Sequence, residues 1–204
     1  MRQPNPAVLA AAVLLWSAGP AQPMAENHQL PTVPPNDNRL PAGRFHGDTL
    51  EIHLEVRMAT WRPEADTGPA IAVAAFGEVG HDPEIPGPLI RVPAGTVIVA
   101  SVQNLLTDST IAVHGLLTRP AERDDSLVLP PGASATVTFA AGAPGTYLYM
   151  AVLGRHDFTR GVDMERETVS GAFIVDPVGG SPPDRILMMN IWGELIDSTT
   201  YRNA

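Results

Sequence analysis

The sequence predicts an all-β fold in which short strands pack as a Greek-key β-sandwich or barrel. Residues 50–58 alternate between apolar and polar side chains, which indicates a strand with one buried face and one solvated face. The 204 residues include 21 prolines and 18 glycines, and the turns that these residues favour separate further apolar runs. After the apolar run near the N-terminus, no segment longer than about ten residues has the period of a helix.

The expected elements follow the apolar runs in chain order. The first strand covers residues 50–58, and the Gly- and Pro-rich residues that follow it, up to Gly80, are expected to form a loop. Further strands are expected at residues 96–102, 111–117, 135–140, 146–152 and 171–175. Strands at this spacing, separated by Gly/Pro turns, are typical of a β-sandwich or a Greek-key barrel.

The beginning of the chain has the pattern of an export signal. Arg2 gives a positive start, residues 7–16 form an apolar run too short to anchor in a bilayer, and small residues predict cleavage after Ala21. We therefore expect a signal peptide at residues 1–21, no membrane span after its removal, and a periplasmic or secreted protein. Residues 22–47, rich in Pro, Asn and Asp, are expected to be a flexible leader.

One domain is expected at residues 48–178. Residues 179–204 are interpreted as a linker and the first strand of a truncated second domain, because the apolar strand pattern of residues 185–192 follows a stretch of Gly, Ser and Pro. A lone apolar strand needs a sheet to join. Three outcomes are open: this strand folds back on the domain, pairs with another chain, or begins a second domain.

The composition excludes several classes of function. The chain has no cysteine, which rules out disulfides, thiolate zinc sites, iron–sulfur clusters, cysteine nucleophiles and a blue-copper site with a cysteine ligand. The net charge is −9, and all 13 basic residues are arginine, so no nucleic-acid partner is expected. The motifs of a nucleophile elbow, a dinucleotide fold and a phosphate-binding loop are missing, and no catalytic or cofactor-binding residue is assigned.

Three segments combine Gly or Pro turns with apolar strands. They are Pro-Gly-Pro-Leu-Ile-Arg at residues 86–91, Ile-Ala-Val-His-Gly-Leu at residues 111–116 and Gly-Thr-Tyr-Leu-Tyr-Met-Ala-Val at residues 145–152. A short closing strand, Gly-Ala-Phe-Ile-Val, follows at residues 171–175. In this order they resemble the N-terminal plastocyanin-like (cupredoxin) domain of the multicopper oxidase family. The resemblance covers about residues 48–200 and implies a cupredoxin-like Greek-key β-sandwich.

The resemblance also implies a metal. The family carries two pairs of histidines, His-x-His-Gly and His-x-His, which supply this domain's share of a trinuclear copper cluster. Alternation along a strand puts both members of a pair on one face. On this chain the resemblance places the first pair at Ala112 and His114 and the second at Met150 and Val152. Copper is therefore the implied cofactor, and His114 is the candidate metal ligand that this sequence retains.

Other readings of these residues stay open. His114 is alternatively a hydrogen-bonded core histidine, and Met150 is expected to pack in the core, with ligation of Cu(I) as the alternative. His156 lies in a loop longer than the family usually has, at residues 154–167, and is an alternative ligand. His53 is expected on the solvated face of its strand. The remaining histidines are expected in loops: His28, His46 and His81.

The functional expectation has two forms. The resemblance implies an exported copper-binding oxidoreductase that uses oxygen as acceptor, with further cupredoxin domains or another copy of the chain as partners. With one imidazole at the four ligand positions and no thiolate, the isolated chain is expected to be inactive as an oxidase, which leaves its status as an enzyme open. The alternative is a degenerate cupredoxin module that serves as an interaction or structural domain.

Overall fold

The structure is a computed structural model that describes residues 30–117, 125–154, 168–180 and 183–189. Within them the chain forms ten β-strands. The strands are β1 (Arg44–His46), β2 (Thr49–Trp61), β3 (Ile71–Glu78), β4 (Gly87–Pro93), β5 (Val97–Asn104), β6 (Ile111–His114), β7 (Leu127–Leu129), β8 (Ser134–Ala140), β9 (Gly145–Leu153) and β10 (Thr168–Asp176). No helix in these residues is long and apolar enough to cross a membrane. The expected signal peptide at residues 1–21 lies outside the described residues.

The strands form two sheets that pack face to face, which confirms the predicted all-β sandwich. In the described residues the first sheet has the order β1-β2-β5-β8, with β3 paired to the later part of β2. The second sheet has the order β4-β10-β9-β6-β7. Most neighbouring strands are antiparallel, whereas β2 pairs with β5 and β4 pairs with β10 in parallel. These parallel pairs require connections that cross between the sheets.

Side-chain alternation builds the core between the sheets. On β2, the even-numbered residues from Leu50 to Val56 are buried, as the sequence pattern predicts. They meet Ile90 and Phe173 from the second sheet in one large apolar cluster. The predicted strand at residues 111–117 is wrong in its second half, because the chain leaves the sheet at Gly115, which has a positive φ of 81°.

The structure corrects the loop expected between the first strand and Gly80. Residues 71–78 form β3, which pairs antiparallel with residues 54–61 of β2. Alanine-rich strands carry little of the β-branched signal by which strands are recognised. Here the neighbouring strand provides the pairing, and Ala74 and Phe76 are buried in the core.

The flexible leader expected at residues 22–47 is also corrected, for the part from residue 30 onward. The amide of Val33 donates to the carbonyl of Thr60 at 2.9 Å, and the amide of Ala42 donates to the carbonyl of Leu89 at 2.8 Å. Val33 is buried in a small apolar cluster on the outer face of β2 and β3, and β1 pairs with β2. Isolated backbone hydrogen bonds of this kind do not require apolar residues at a regular spacing, so the sequence pattern does not reveal them.

The apolar strand expected at residues 185–192 is not a strand in its described part, residues 185–189. Instead, Ile186 and Met188 pack against an apolar patch formed by Leu89, Ala172 and Ile174 on β4 and β10. The alternating apolar pattern therefore serves side-chain packing on the outer face of the second sheet, without a ladder of backbone hydrogen bonds. Residues 190–204 lie outside the described residues.

Arg91 fastens this C-terminal segment to the sheet. Its Nε and Nη2 atoms donate to the two carboxylate oxygens of Asp176 at 2.8 and 2.9 Å, and its Nη1 donates to Asp184 at 2.8 Å. Asp176 is buried, whereas Asp184 is exposed. The hydrogen bonds to Asp176, and then those to Asp184, raise the pKa of Arg91 above its ordinary value, so this cation is permanent.

Tyr149 is the largest fully buried side chain among the described residues, and it links β9 to β4 and β3. Its hydroxyl donates to the carbonyl of Pro88 at 2.7 Å, and its ring meets Phe76 edge-on at 5.0 Å between centroids. Burial raises its pKa well above the ordinary value, so the hydroxyl stays a donor. Gly171 on β10 faces the ring so closely that a Cβ atom there would overlap it.

We predict that Gly171→Ala destabilises the fold by about 1–3 kcal/mol, because the Tyr149 ring is enclosed and cannot move aside. The free energy of unfolding, measured by urea denaturation, checks this. Gly145→Ala is the matched control, since an added Cβ there meets the ring of Tyr147, which is only partly buried and can rotate away. Equal stability of the two variants would contradict the assigned contact.

We predict that Arg91→Met lowers the free energy of unfolding by about 3–5 kcal/mol, because it leaves the buried Asp176 carboxylate without its guanidinium. Asp184→Asn, which removes the exposed partner of the same arginine, should lower it by less than about 1 kcal/mol. Chemical denaturation of both variants provides the comparison. Similar losses of unfolding free energy in the two variants would show that the pair with Asp176 is not the main stabilising contact of Arg91.

Candidate functional site

The strand register brings together the four positions where the resemblance places the family's histidine pairs. On β6 and β9, Ala112 lies opposite Val152, and His114 lies opposite Met150. Their neighbours along each strand point into the core, so these four side chains share the outer face of the second sheet. Val152 is buried there, whereas the other three are half-buried. The two sequence segments therefore form one site.

The surroundings of His114 fix its ring. Its Nδ1 lies 2.8 Å from the backbone carbonyl of Asp125. Because a carbonyl oxygen only accepts, Nδ1 carries the hydrogen of this contact. The other ring nitrogen, Nε2, is buried. Asp125 is itself buried, and its Oδ1 accepts a hydrogen bond from the amide of Leu117 at 3.1 Å. His114 is thus a hydrogen-bonded histidine with an oriented ring.

The burial of Asp125 adds a residue to the site. Asp125 is almost out of solvent, at 2% exposure. Its carboxylate accepts from the amide of Leu117, and its carbonyl orients His114. No signal in the sequence distinguishes it from Asp124 beside it, because both are acidic residues between two strands.

The donor atoms at the four positions are few. His114 offers an imidazole nitrogen and Met150 a thioether sulfur, whereas Ala112 and Val152 carry no donor atom. Met150 also faces Ser170 across β9 and β10. His156, the alternative ligand in the loop at residues 154–167, lies outside the described residues, as does His28. The structure therefore does not test whether either of them reaches this site.

The other described histidines lie on the first sheet or beside it. His53 is exposed on the outer face of β2, as expected. His46 is at the end of β1, which corrects its placement in a loop, and His81 follows β3. His46 and His53 lie on strands of the first sheet, whereas His114 lies on the outer face of the second sheet. They belong to no site that includes His114.

A polar cleft of about 600 Å³ opens beside His81. It is lined by Glu55, Arg57, Gly80, His81 and Asp82. Arg57 pairs with Glu55 at 3.0 Å and donates from Nη2 to the carbonyl of His81 at 2.8 Å. These contacts tie β2 to the loop after β3, and the cleft's main cation and its buried carboxylate are already engaged with each other. The cleft therefore offers a structural tie rather than a reactive group.

Glu84, close to this cleft, is a carboxyl group whose ionised form is disfavoured in the folded protein. Burial raises the pKa of its carboxyl above the ordinary value. The positive charge of His81 partly offsets this rise, and repulsion from Glu78 and Asp37 adds to it. The folded protein consequently holds this proton to a higher pH than the unfolded chain does.

We predict that Glu84→Gln makes the protein more stable at pH 7 than the wild type. The native state binds the extra proton between the unfolded pKa, about 4.3, and the raised folded pKa, so the wild type loses stability as pH rises through that window. The advantage of the variant should disappear below about pH 4, where both states are protonated. Urea denaturation at the two pH values checks this, with the exposed Glu64→Gln as control. A variant that is less stable at pH 7 would contradict the prediction.

Comparison with known proteins places this architecture in a family. A curated protein of Kuenenia stuttgartiensis, described as a probable nitrite reductase-hydroxylamine oxidoreductase fusion protein, is 30% identical over 148 residues, which cover 66% of this chain and 16% of that protein. The L-ascorbate oxidase of Cucumis sativus is 32% identical over 111 residues, covering 50% of this chain and 17% of the oxidase. The multicopper oxidase MmcO of Mycobacterium tuberculosis is 30% identical over 151 residues, covering 64% of this chain and 27% of that oxidase.

The chain thus spans between 16% and 27% of the length of these relatives. The family profile described as multicopper oxidase matches residues 77–179, half of the chain. That range contains β4 to β10, and with them all four positions paired across β6 and β9. The fold, the order of the segments and this match agree, and the chain belongs to the multicopper oxidase family.

Proposed function

We propose that this chain is an exported, non-catalytic cupredoxin domain of the multicopper oxidase type, which acts as an interaction or structural module. The observation that carries the proposal is the set of side chains paired across β6 and β9. It holds one imidazole at His114, one thioether at Met150 and two hydrocarbon side chains. The domain's share of a trinuclear copper cluster in this family takes four imidazoles, so the residues present do not fit that group.

The electron-entry site of the family also has no counterpart in this chain. A blue-copper centre needs a cysteine thiolate beside two imidazoles. The sequence contains no cysteine, so the chain cannot supply that ligand. Neither part of the copper chemistry can therefore be assembled from this chain's own residues, which supports a role without turnover.

A second candidate is a domain of a larger copper oxidase. It is favoured by the lengths of the relatives, of which this chain corresponds to 27% at most among the three compared. In that case further cupredoxin domains, or another copy of the chain, would supply the missing ligands, and copper would belong to the assembly. His114 would then be this chain's contribution, with its ring already oriented by the carbonyl of Asp125.

Export is part of the proposal. The positive start at Arg2, the apolar run at residues 7–16 and the small residues before Ala21 support a cleaved signal and a periplasmic or secreted location. A cysteine-free chain needs no oxidative folding there. The sandwich would be held by its apolar core and by the Arg91–Asp176 pair.

We predict that the isolated chain, loaded with Cu²⁺ and dialysed, retains no copper that depends on His114. Elemental analysis of the wild type and of His114→Ala should give the same copper content per chain, because one imidazole is too few donors to hold the ion. Oxygen uptake with a phenolic substrate should stay at the background rate. His114-dependent copper together with oxygen turnover would overturn the proposal in favour of an oxidase.

A ligand-restoring variant is the positive control for that measurement. In Ala112→His/Met150→His, imidazoles join His114 at two half-buried positions, which leaves the buried Val152 untouched. This variant should retain more copper per chain than the wild type after the same dialysis, because three imidazoles on one strand face form an adequate donor set. Its failure to do so would show that the missing donors are not the reason for the absence of copper at this site.

A further inference from the structure

A second group of metal-ligating side chains lies on the other sheet. β1 and β2 form a tight hairpin in which His46 pairs with Thr49 across the turn. Glu51 and His53 follow on the same face of β2, because alternate residues of a strand point to one side. The hairpin therefore gathers His46, Glu51 and His53 on the outer surface of the first sheet, apart from the positions where the family binds copper.

The carboxylate of Glu51 lies between the two imidazoles. Its Oε2 is 3.5 Å from Nε2 of His46, and its Oε1 is 3.3 Å from Nε2 of His53. Both distances exceed those of ordinary N–H···O hydrogen bonds. Two ligands of one tetrahedral zinc ion, bound at about 2.0–2.2 Å, are separated by about 3.4 Å. The two nitrogen–oxygen separations are thus compatible with ligands of a shared cation, as well as with direct ion pairs.

The distance between the imidazoles of His46 and His53 has to shorten when an ion binds. As they stand, no three His, Asp or Glu side chains among the described residues are close enough together to hold one metal ion. The side chains of His46 and His53 are 66% and 53% exposed, and that of Glu51 is 44% exposed. Rotation of exposed side chains disturbs no packing, so the site can form on binding without a change in the sandwich.

Ser101 on β5 holds one of the rings. It lies opposite His53 in the parallel pair of β2 and β5, and its Oγ is 2.6 Å from Nδ1 of His53. When Nδ1 donates to this oxygen, the lone pair of the ring is at Nε2, on the side of Glu51. Metal-binding histidines usually have such a partner on the second ring nitrogen, which fixes the tautomer.

We propose that His46, Glu51 and His53 bind one divalent cation of the Zn²⁺ or Cu²⁺ class, with a fourth position open to water. Two imidazoles and a carboxylate suit these ions better than Ca²⁺ or Mg²⁺, which prefer oxygen ligands. The net charge of −9 favours a cation, whereas Arg44, directly opposite Glu51 across the hairpin, competes with it for the carboxylate. Copper held by the isolated chain would then sit here rather than at His114.

The test is a titration of the untagged full-length chain with Zn²⁺, after chelator treatment, by isothermal titration calorimetry. We expect one saturable site per chain, weakened at least about tenfold in His46→Ala, in His53→Ala and in Glu51→Gln. Arg44→Gln should bind Zn²⁺ more tightly than the wild type. His81→Ala is the matched control, an exposed histidine on the same side of the molecule, and should bind as the wild type does.

Three results would overturn the proposal. They are no saturable Zn²⁺ binding, binding that persists in both His46→Ala and His53→Ala, and binding that is lost instead in His28→Ala or His156→Ala. Co²⁺ provides a second readout, because a tetrahedral site gives a visible absorption band that should vanish in the same variants. His114→Ala should leave both readouts unchanged, so failure of this site and failure of the proposed function are distinguishable.

Discussion

The buried ring of Tyr149 is the constraint on which the second sheet depends. It reaches from β9 to the carbonyl of Pro88 on β4, and it lies against the backbone of Gly171 on β10. With this residue pointing inward, alternation turns Met150 and Val152 outward. The same register sets them opposite His114 and Ala112 on β6. A core contact thus determines which side chains form the outer site.

This arrangement separates what holds the fold from what carries the chemistry. The inward residues of β6 and β9, such as Val113 and Ala151, belong to the apolar core. The outward residues contribute little to that core, so imidazoles there can be replaced by hydrocarbon side chains while the sandwich persists. The core and the turns therefore carry the fold, whereas two of the four outward positions, Ala112 and Val152, carry no donor atom. Family membership and copper chemistry are separate questions for this chain.

The sequence predicts the parts of the structure that repeat a simple period. The alternation of β2, the strands at β5, β8, β9 and β10 and the turns between them follow from apolar patterning and from Gly and Pro. The anchoring of Val33 and the packing of Ile186 could not be predicted, because single contacts leave no periodic signal. The pairing of His114 with Met150 needed the register, and the burial of Asp125 needed the tertiary structure.

Segments from both halves of the described chain meet on a single strand, β4. The N-terminal stretch bonds to the backbone of Leu89 through Ala42, and the C-terminal stretch covers the side chain of Leu89 and is locked by Arg91. Two segments that are far apart in the sequence are therefore neighbours on β4. A pull applied between residues 42 and 189 would act directly on β4 through its backbone bond to Ala42 and its side-chain contacts with the C-terminal segment.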